Sequence, residues 1–219
     1  MEQYRRHLPH WIPDKACLFV TWRLWGSLPA ATVEWLKREQ GLEERRVAQH
    51  ANDRSKDDDA IRRAAAQRFA KLDGILDKAS TGPLWLQRPE LARLAVETLL
   101  YAERELRLHR LHAYVVMANH VHALLEPRAS LARIMKTVKG YTARRANRIL
   151  GRDGKRFWQD ESFDHWIRDE AEFARVVRYI EHNPVKAGLV SRPPDWPWSS
   201  ACRTDLQVCP LCSRQGAGC

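Results

Sequence analysis

Long apolar runs are missing from this sequence. No stretch reaches the roughly 18 to 20 consecutive apolar residues that a bilayer-crossing helix needs, and the first 25 residues lack the basic, apolar and small-residue order of a secretory signal. The expectation is a cytoplasmic protein with no membrane partner. Cysteine is scarce: Cys17 stands alone, and Cys202, Cys209, Cys212 and Cys219 crowd the end. An odd count spread this way argues against a disulfide framework. "CPLC" supplies a single close pair with loose outer spacings, a weak zinc pattern. Residues 202–219 are therefore read as a Cys-containing tail, expected to be flexible and to carry reduced thiols. No internal repeat is visible, which leaves one domain with extensions as the plan for 219 residues of 44% hydrophobic composition.

Acidic residues are also in short supply, 27 against 37 Lys and Arg, giving a formal charge of +10. Such a balance favours a polyanionic partner. The clusters "YRRHLPHW", "RRANRILGRDGKRFW" and "RPPDWPW" interleave arginine with aromatic rings. Arginine reaches phosphates and tryptophan can stack on bases, so nucleic acid is the class this pattern favours. Composition alone also fits tryptophans in a core with arginines around its rim.

"ACLFVTWRLWG" (Ala16 to Gly26) reads as a buried strand ending in a turn. From Ala30 to Leu106 the spacing predicts three helices. The charged middle one, "DDDAIRRAAAQRFAKLDGILDKA", is expected to project from the body, and the third starts near Pro89. "LHAYVVMAN" and "HVHALLEP" follow as two strands, or one strand bent near Ala118 and Asn119. "SLARIMKTVKGYTARRANRIL" then places Leu131, Ile134, Met135 and Val138 on one helical stripe, with Ser130 as its cap. "FDHWIRD" reads as a last strand, and "EAEFARVVRYIEHNPVKAGL" as a helix stopped at Asn183 and Pro184. This alternation predicts an α+β layer fold, with helices on one face of a small antiparallel sheet.

Within "VVMANHVHALLEP" two histidines flank one valine. On a strand, residues two apart share a face, so His120 and His122 would project side by side and Val121 would face the other layer. Two imidazoles so placed can chelate a divalent ion. Among nine histidines an H-x-H is also unremarkable, and either ring could be satisfied by a backbone carbonyl. On the next helix Tyr141 falls on the flank of the apolar stripe. If that helix packs on the face carrying the histidines, its phenol sits at the site's edge, where Lys139, Arg144 and Arg148 would favour the ionised form. A lone half-buried tyrosine packed on a sheet has the same signature.

The ordered series "YVVMANHVHALLEP", "KGYTARRANRILGR", "RFWQDESFDHWIRDE", "RYIEHNPVKAGLV" and "DWPWSSA" resembles the REP-associated tyrosine transposases, relatives of the IS200/IS605 transposases in the HUH single-tyrosine nuclease superfamily. The likeness runs from about Tyr4 to Ala201. It implies a ferredoxin-like domain over 1–201 with a helical insertion at about 30–106, and Mg or Mn held by His120 and His122. It also implies a tyrosine, here Tyr141, that attacks single-stranded DNA of a palindromic hairpin and leaves a 5′-phosphotyrosine. Relatives often supply a third polar ligand one turn after the nucleophile. Residue 145 is an arginine, which leaves Asn147, Gln159 and Glu161 as substitutes. Candidate DNA contacts are Arg5, Arg6, Lys139, Arg144, Arg148, Trp158 and Arg168, with Lys186 a further candidate for the backbone. Two rivals remain: a hairpin-binding protein without chemistry, and a hydrolase in which Glu126 or Glu161 activates water. Oligomeric state, monomer or homodimer, is not legible.

Overall fold

The structure is a computed structural model, described over residues 17–49 and 54–202. Four strands, β1 (Leu18–Arg23), β2 (His109–Val116), β3 (His120–Pro127) and β4 (Phe163–Trp166), form one antiparallel sheet in the order β2-β3-β1-β4. Five α-helices accompany them: α1 (Ala30–Gln49), α2 (Arg54–Lys78), α3 (Pro89–Arg104), α4 (Leu131–Ile149) and α5 (Glu170–Lys186). Helix α3 lies between β1 and β2 in the chain and α4 between β3 and β4, so each connects strands that are not neighbours. This is the ferredoxin-like plan. Of the three helices expected between Ala30 and Leu106, α3 belongs to that plan and α1 and α2 are additional.

Period-two alternation along the strands divides the core. Val20, Trp22, Val121, Ala123 and Leu125 face α3 and α4, packing with Leu91, Leu99, Ile134 and Val138. Phe19, Ala113, Val115 and Leu124 face the other way, onto Ile180, Phe173 and Val176 of α5 and Phe69 of α2. The two crossover helices thus share one face, as the sequence predicts. The opposite face is covered as well, which the one-sided plan did not include. Burial on both faces explains why β1 is buried at every position, Thr21 and Arg23 included.

Helix α2 does not project. Phe69 stacks on Phe163 at 4.4 Å and meets Phe19 edge-on, while Leu76 is fully buried and its carbonyl accepts from Asn119 Nδ2 (3.1 Å). Helix α5 continues through Pro184 to Lys186 instead of stopping at Asn183. One hydrogen bond lost in a final turn is tolerated, and Gly188 at φ +71° makes the left-handed exit. Ser130 caps α4 as expected, accepting from Arg133 N (3.3 Å). The free edge of β2 is covered by "DWPWSS": Val116 N donates to Trp198 O (2.8 Å), Trp196 Nε1 to Val116 O (3.0 Å) and Tyr114 N to Ser200 Oγ (3.1 Å). Cys202 is buried and disulfide-bonded, so the expectation of reduced thiols fails at that position. The rest of the tail lies outside the described residues.

The chain returning from α2 passes the end of β1 at close range. Gly82 has φ +77°, and a Cβ there would lie 2.1 Å from the Gly26 carbonyl oxygen; Gly154 has φ +75° in open space. Gly154→Ala should therefore cost about 1 kcal/mol for the left-handed conformation alone. Gly82→Ala should cost at least about 2 kcal/mol more, because two backbones must separate. Thermal unfolding of the two variants side by side checks the difference.

Candidate metal and tyrosine centre

The site lies on the face covered by α2 and α5. Strand β3 points His120 and His122 to that face and Val121 to the other. Antiparallel register sets Thr21 opposite His122, where Thr21 Oγ1 and His122 Nδ1 are 2.7 Å apart. Asn119 Oδ1 lies 2.7 Å from His120 Nδ1, and the Asn119 amide is oriented by its own donation to the Leu76 carbonyl. The oxygen can only accept, so the His120 proton sits on Nδ1 and Nε2 presents a lone pair. The two Nε2 atoms face each other at 3.0 Å. Burial, reinforced by His122, holds the His120 pKa well below its usual value and keeps the ring neutral.

Opposite the imidazoles α2 presents two carboxylates, one turn apart. Asp73 Oδ1 lies 3.1 Å from His122 Nε2 and 4.0 Å from His120 Nε2, and Asp77 Oδ1 lies 3.8 Å from His120 Nε2. From α5, the Tyr179 hydroxyl donates to Asp73 Oδ2, and Lys186 Nζ reaches Asp73 Oδ2 (3.0 Å) and Asp77 Oδ2 (2.8 Å). Asn183 sits one turn after Tyr179, with its Nδ2 3.4 Å from His122 Nε2. Burial alone would raise the Asp73 pKa. Its bonds to His122 and Tyr179 outweigh that and hold it well below the carboxylate range. Burial and the Asp73 charge push Asp77 up, and burial with the same charge pushes the Tyr179 phenol above its usual value.

Asp73, His120 and His122 offer three ligand atoms within 4.8 Å of one another. Adjacent donors about 2.1 Å from an octahedral ion lie about 3 Å apart and opposite ones about 4 Å; Nε2–Nε2 at 3.0 Å and His122 Nε2–Asp73 Oδ1 at 3.1 Å match the first, and His120 Nε2–Asp73 Oδ1 at 4.0 Å the second. His120 Nε2, free of its proton, thus looks toward His122 Nε2 and the Asp73 carboxylate, a set of donors that a cation would join. Asn183 Oδ1 is buried and accepts no hydrogen bond from the described residues. Rotating the Asn183 amide would turn its oxygen toward the same point. A carboxylate and two imidazoles suit a divalent ion, and the residues fit one.

The remaining sequence-predicted residues lie elsewhere. Tyr141 is exposed on α4, whose buried side packs with α3 on the opposite face of the sheet, so the sheet separates it from the histidines. The stripe beside it does pack on the sheet, but on the face that Val121 occupies. Asn147 is buried on that side and donates to Lys155 O (2.6 Å). Gln159 and Glu161 bond to each other at 2.7 Å. Trp158 is a core residue, with Nε1 bonded to Thr142 Oγ1 (2.8 Å) and its ring edge-on to Trp22. Lys139 ties α4 to the next loop through the Gln159 and Asp160 carbonyls (2.6 and 2.8 Å). Arg144, Arg148 and Arg168 are exposed, while Arg5 and Arg6 lie outside the described residues.

Asp73, Asp77, Tyr179 and Asn183 were missed, and Lys186 entered only as a candidate DNA-backbone contact. Two signals could have found them. Phe69, Asp73, Leu76 and Asp77 recur at i, i+4, i+7 and i+8, a helical stripe on which carboxylates are out of place unless paired. "YIEHN" places a polar amide one turn after a tyrosine, the spacing that Tyr141 followed by Arg145 lacks.

Comparison with known proteins agrees with these motifs. Residues 94–183 match the family model described as "Transposase IS200 like". A Haemophilus influenzae protein assigned to the REP-associated tyrosine transposases is 46% identical over 43 residues, 20% of this chain and 24% of that protein. The REP-associated tyrosine transposase of Escherichia coli K12 is 41% identical over 46 residues, 21% of this chain and 28% of that protein. The matched stretches thus span about a quarter of each relative. A solved structure of a REP-associated tyrosine transposase bound to a REP hairpin aligns over 95% of this chain and 90% of that one, with 19% identity and a TM-score of 0.49. The chain is thus similar to IS200-like transposases over residues 94–183 and, over shorter stretches, to REP-associated tyrosine transposases.

Proposed function

We propose that this protein is a divalent-metal-dependent endonuclease and strand transferase for single-stranded, hairpin-forming DNA, with Tyr179 in place of Tyr141 as nucleophile. One observation carries the reading: the only tyrosine hydroxyl bonded to the Asp–His–His cluster among the described residues is that of Tyr179, and Asn183 follows it one turn later. His120, His122 and Asp73 would hold Mg or Mn, with Asn183 within reach. When bound, such an ion supplies positive charge to a phosphate oxygen and favours the phenolate.

Asp73 Oδ2 accepts the Tyr179 hydrogen bond, so it aims the phenol oxygen and gives its proton a path away. The phenol oxygen attacks phosphorus and the P–O3′ bond breaks. The leaving 3′ oxygen takes up a proton, and the 5′ phosphate remains on the tyrosine. Bond energy is retained in that ester, so joining to a new 3′-OH needs no nucleotide. The excess positive charge and the exposed Arg144, Arg148 and Arg168 suit a DNA backbone. The second reading, a hairpin-binding protein without chemistry, draws on the complete burial of both imidazoles, which keeps DNA out while α2 is docked.

Labelled single-stranded hairpin DNA incubated with Mn and resolved on a denaturing gel should give a covalent adduct with the wild type and with Tyr141→Phe, and none with Tyr179→Phe. An adduct that survives Tyr179→Phe would refute the nucleophile. Tight binding with no adduct at any Mn or Mg concentration would favour the binding-only reading. Calorimetric titration with Mn should show affinity at least tenfold weaker in Asp73→Asn than in the wild type, since a charged oxygen donor is replaced by a neutral one.

A further inference from the structure

Helix α5 presents Tyr179, Asn183 and Lys186 to the cluster at i, i+4 and i+7, along one stripe. Lys186 differs from the other groups in being half exposed, at 52%, whereas His120, His122, Asp73 and Asp77 are all at most 8% exposed. Its ammonium stands 5.6 Å from the Tyr179 ring centroid, between the buried donors and solvent. A strand entering from solvent would meet this group first.

Asp77 has no evident duty in holding an ion. Its nearest approach to an imidazole nitrogen, 3.8 Å, is longer than that of Asp73, and its Oδ1 accepts no hydrogen bond although it is buried. It does engage Lys186 at 2.8 Å. Charge balance gives that contact a meaning. Two aspartates against one lysine leave the cluster with one negative charge; a divalent ion would turn that into one positive charge. A phosphodiester, itself singly negative, would then restore neutrality. Carboxylate and phosphate oxygens are alternative acceptors for the same ammonium.

We propose that Lys186 binds the scissile phosphodiester beside Tyr179, and that the Asp77 carboxylate occupies the ammonium until the DNA phosphate displaces it. The inference rests on the functional reading above and adds a substrate contact and an internal competitor to it. Lys186 lies within "HNPVKAG", which reads from sequence as a structural helix stop.

The test measures single-turnover adduct formation with hairpin DNA and Mn, using wild type, Lys186→Ala, Lys186→Arg and Asp77→Asn. Each is assayed with an ordinary phosphodiester and with an uncharged methylphosphonate at the scissile link. Lys186→Ala should slow cleavage of the phosphodiester on the order of 100-fold, the usual loss when one donor to a developing charge is removed. Hairpin affinity and Mn affinity should stay within about threefold, and Lys186→Arg should recover about tenfold or more of the lost rate. On the methylphosphonate, which carries one unit of negative charge fewer than the phosphodiester at every stage of the reaction, the Lys186→Ala penalty should shrink to about tenfold or less. Asp77→Asn, with its competitor for the ammonium neutralised, should cleave several-fold faster at subsaturating DNA and keep its Mn affinity. An undiminished rate in Lys186→Ala, an equal penalty on both linkages, or loss of Mn binding in Asp77→Asn would each overturn the proposal. Wild type that forms no adduct would instead overturn the functional reading, so the two failures are separable.

Discussion

Two carboxylates and two imidazoles share one dry face of the sheet, and the arrangement of the other functional groups follows from how that concentration of polarity is accommodated. Leaving a buried charge unmatched is among the costliest defects a fold can carry. Here Lys186 meets only part of it, through Asp73 and Asp77. A divalent cation between the Nε2 atoms and Asp73 Oδ1 would more than offset the remainder, and the Nε2–Nε2 and His122 Nε2–Asp73 Oδ1 separations are those of neighbouring ligands on one ion. The second ring nitrogens are already engaged by Asn119 and Thr21, which orients both imidazoles before any ion arrives.

The sheet supplies rigidity and the helices supply chemistry. Strand β3, paired on both sides, fixes the histidines, while α5 brings a tyrosine, an amide and an ammonium to the same point along one stripe. The added helix α2 contributes the carboxylates and closes the face, anchored by Phe69 and Leu76. A helix docked by few apolar residues around two buried aspartates is held in large part by the polar contacts those aspartates make. The groups that would hold metal, nucleophile and phosphate therefore also hold the cover over the site.

Much of the fold was legible because its signals are local. The strand pair, the cap at Ser130, the start of α3 at Pro89 and the histidine geometry follow from periodicity and turn chemistry. The tyrosine proposed as nucleophile was harder to read because period alone gives a residue's side of its own helix, not which face of a sheet that helix will cover. Tyr141 and Tyr179 both sit beside apolar stripes; only topology sends α4 to the face of Val121 and α5 to the face of His122. Asp73 and Asp77 were hidden for a related reason. They are remote in sequence from the histidines, on a charged helix that looked solvated, and only docking reveals that their stripe is the buried one. Pro184 marked a helix end too early because a proline in the final turn removes a single hydrogen bond.

Mass spectrometry of the protein–DNA conjugate, after nuclease and tryptic digestion, addresses the central claim most directly. Cleavage after Arg178 and Lys186 releases a peptide spanning 179–186, and cleavage after Lys139 and Arg144 releases one spanning 140–144. The account places the residual nucleotide phosphate on the first of these, at Tyr179. Finding it on the second, or on any other peptide, would contradict the account.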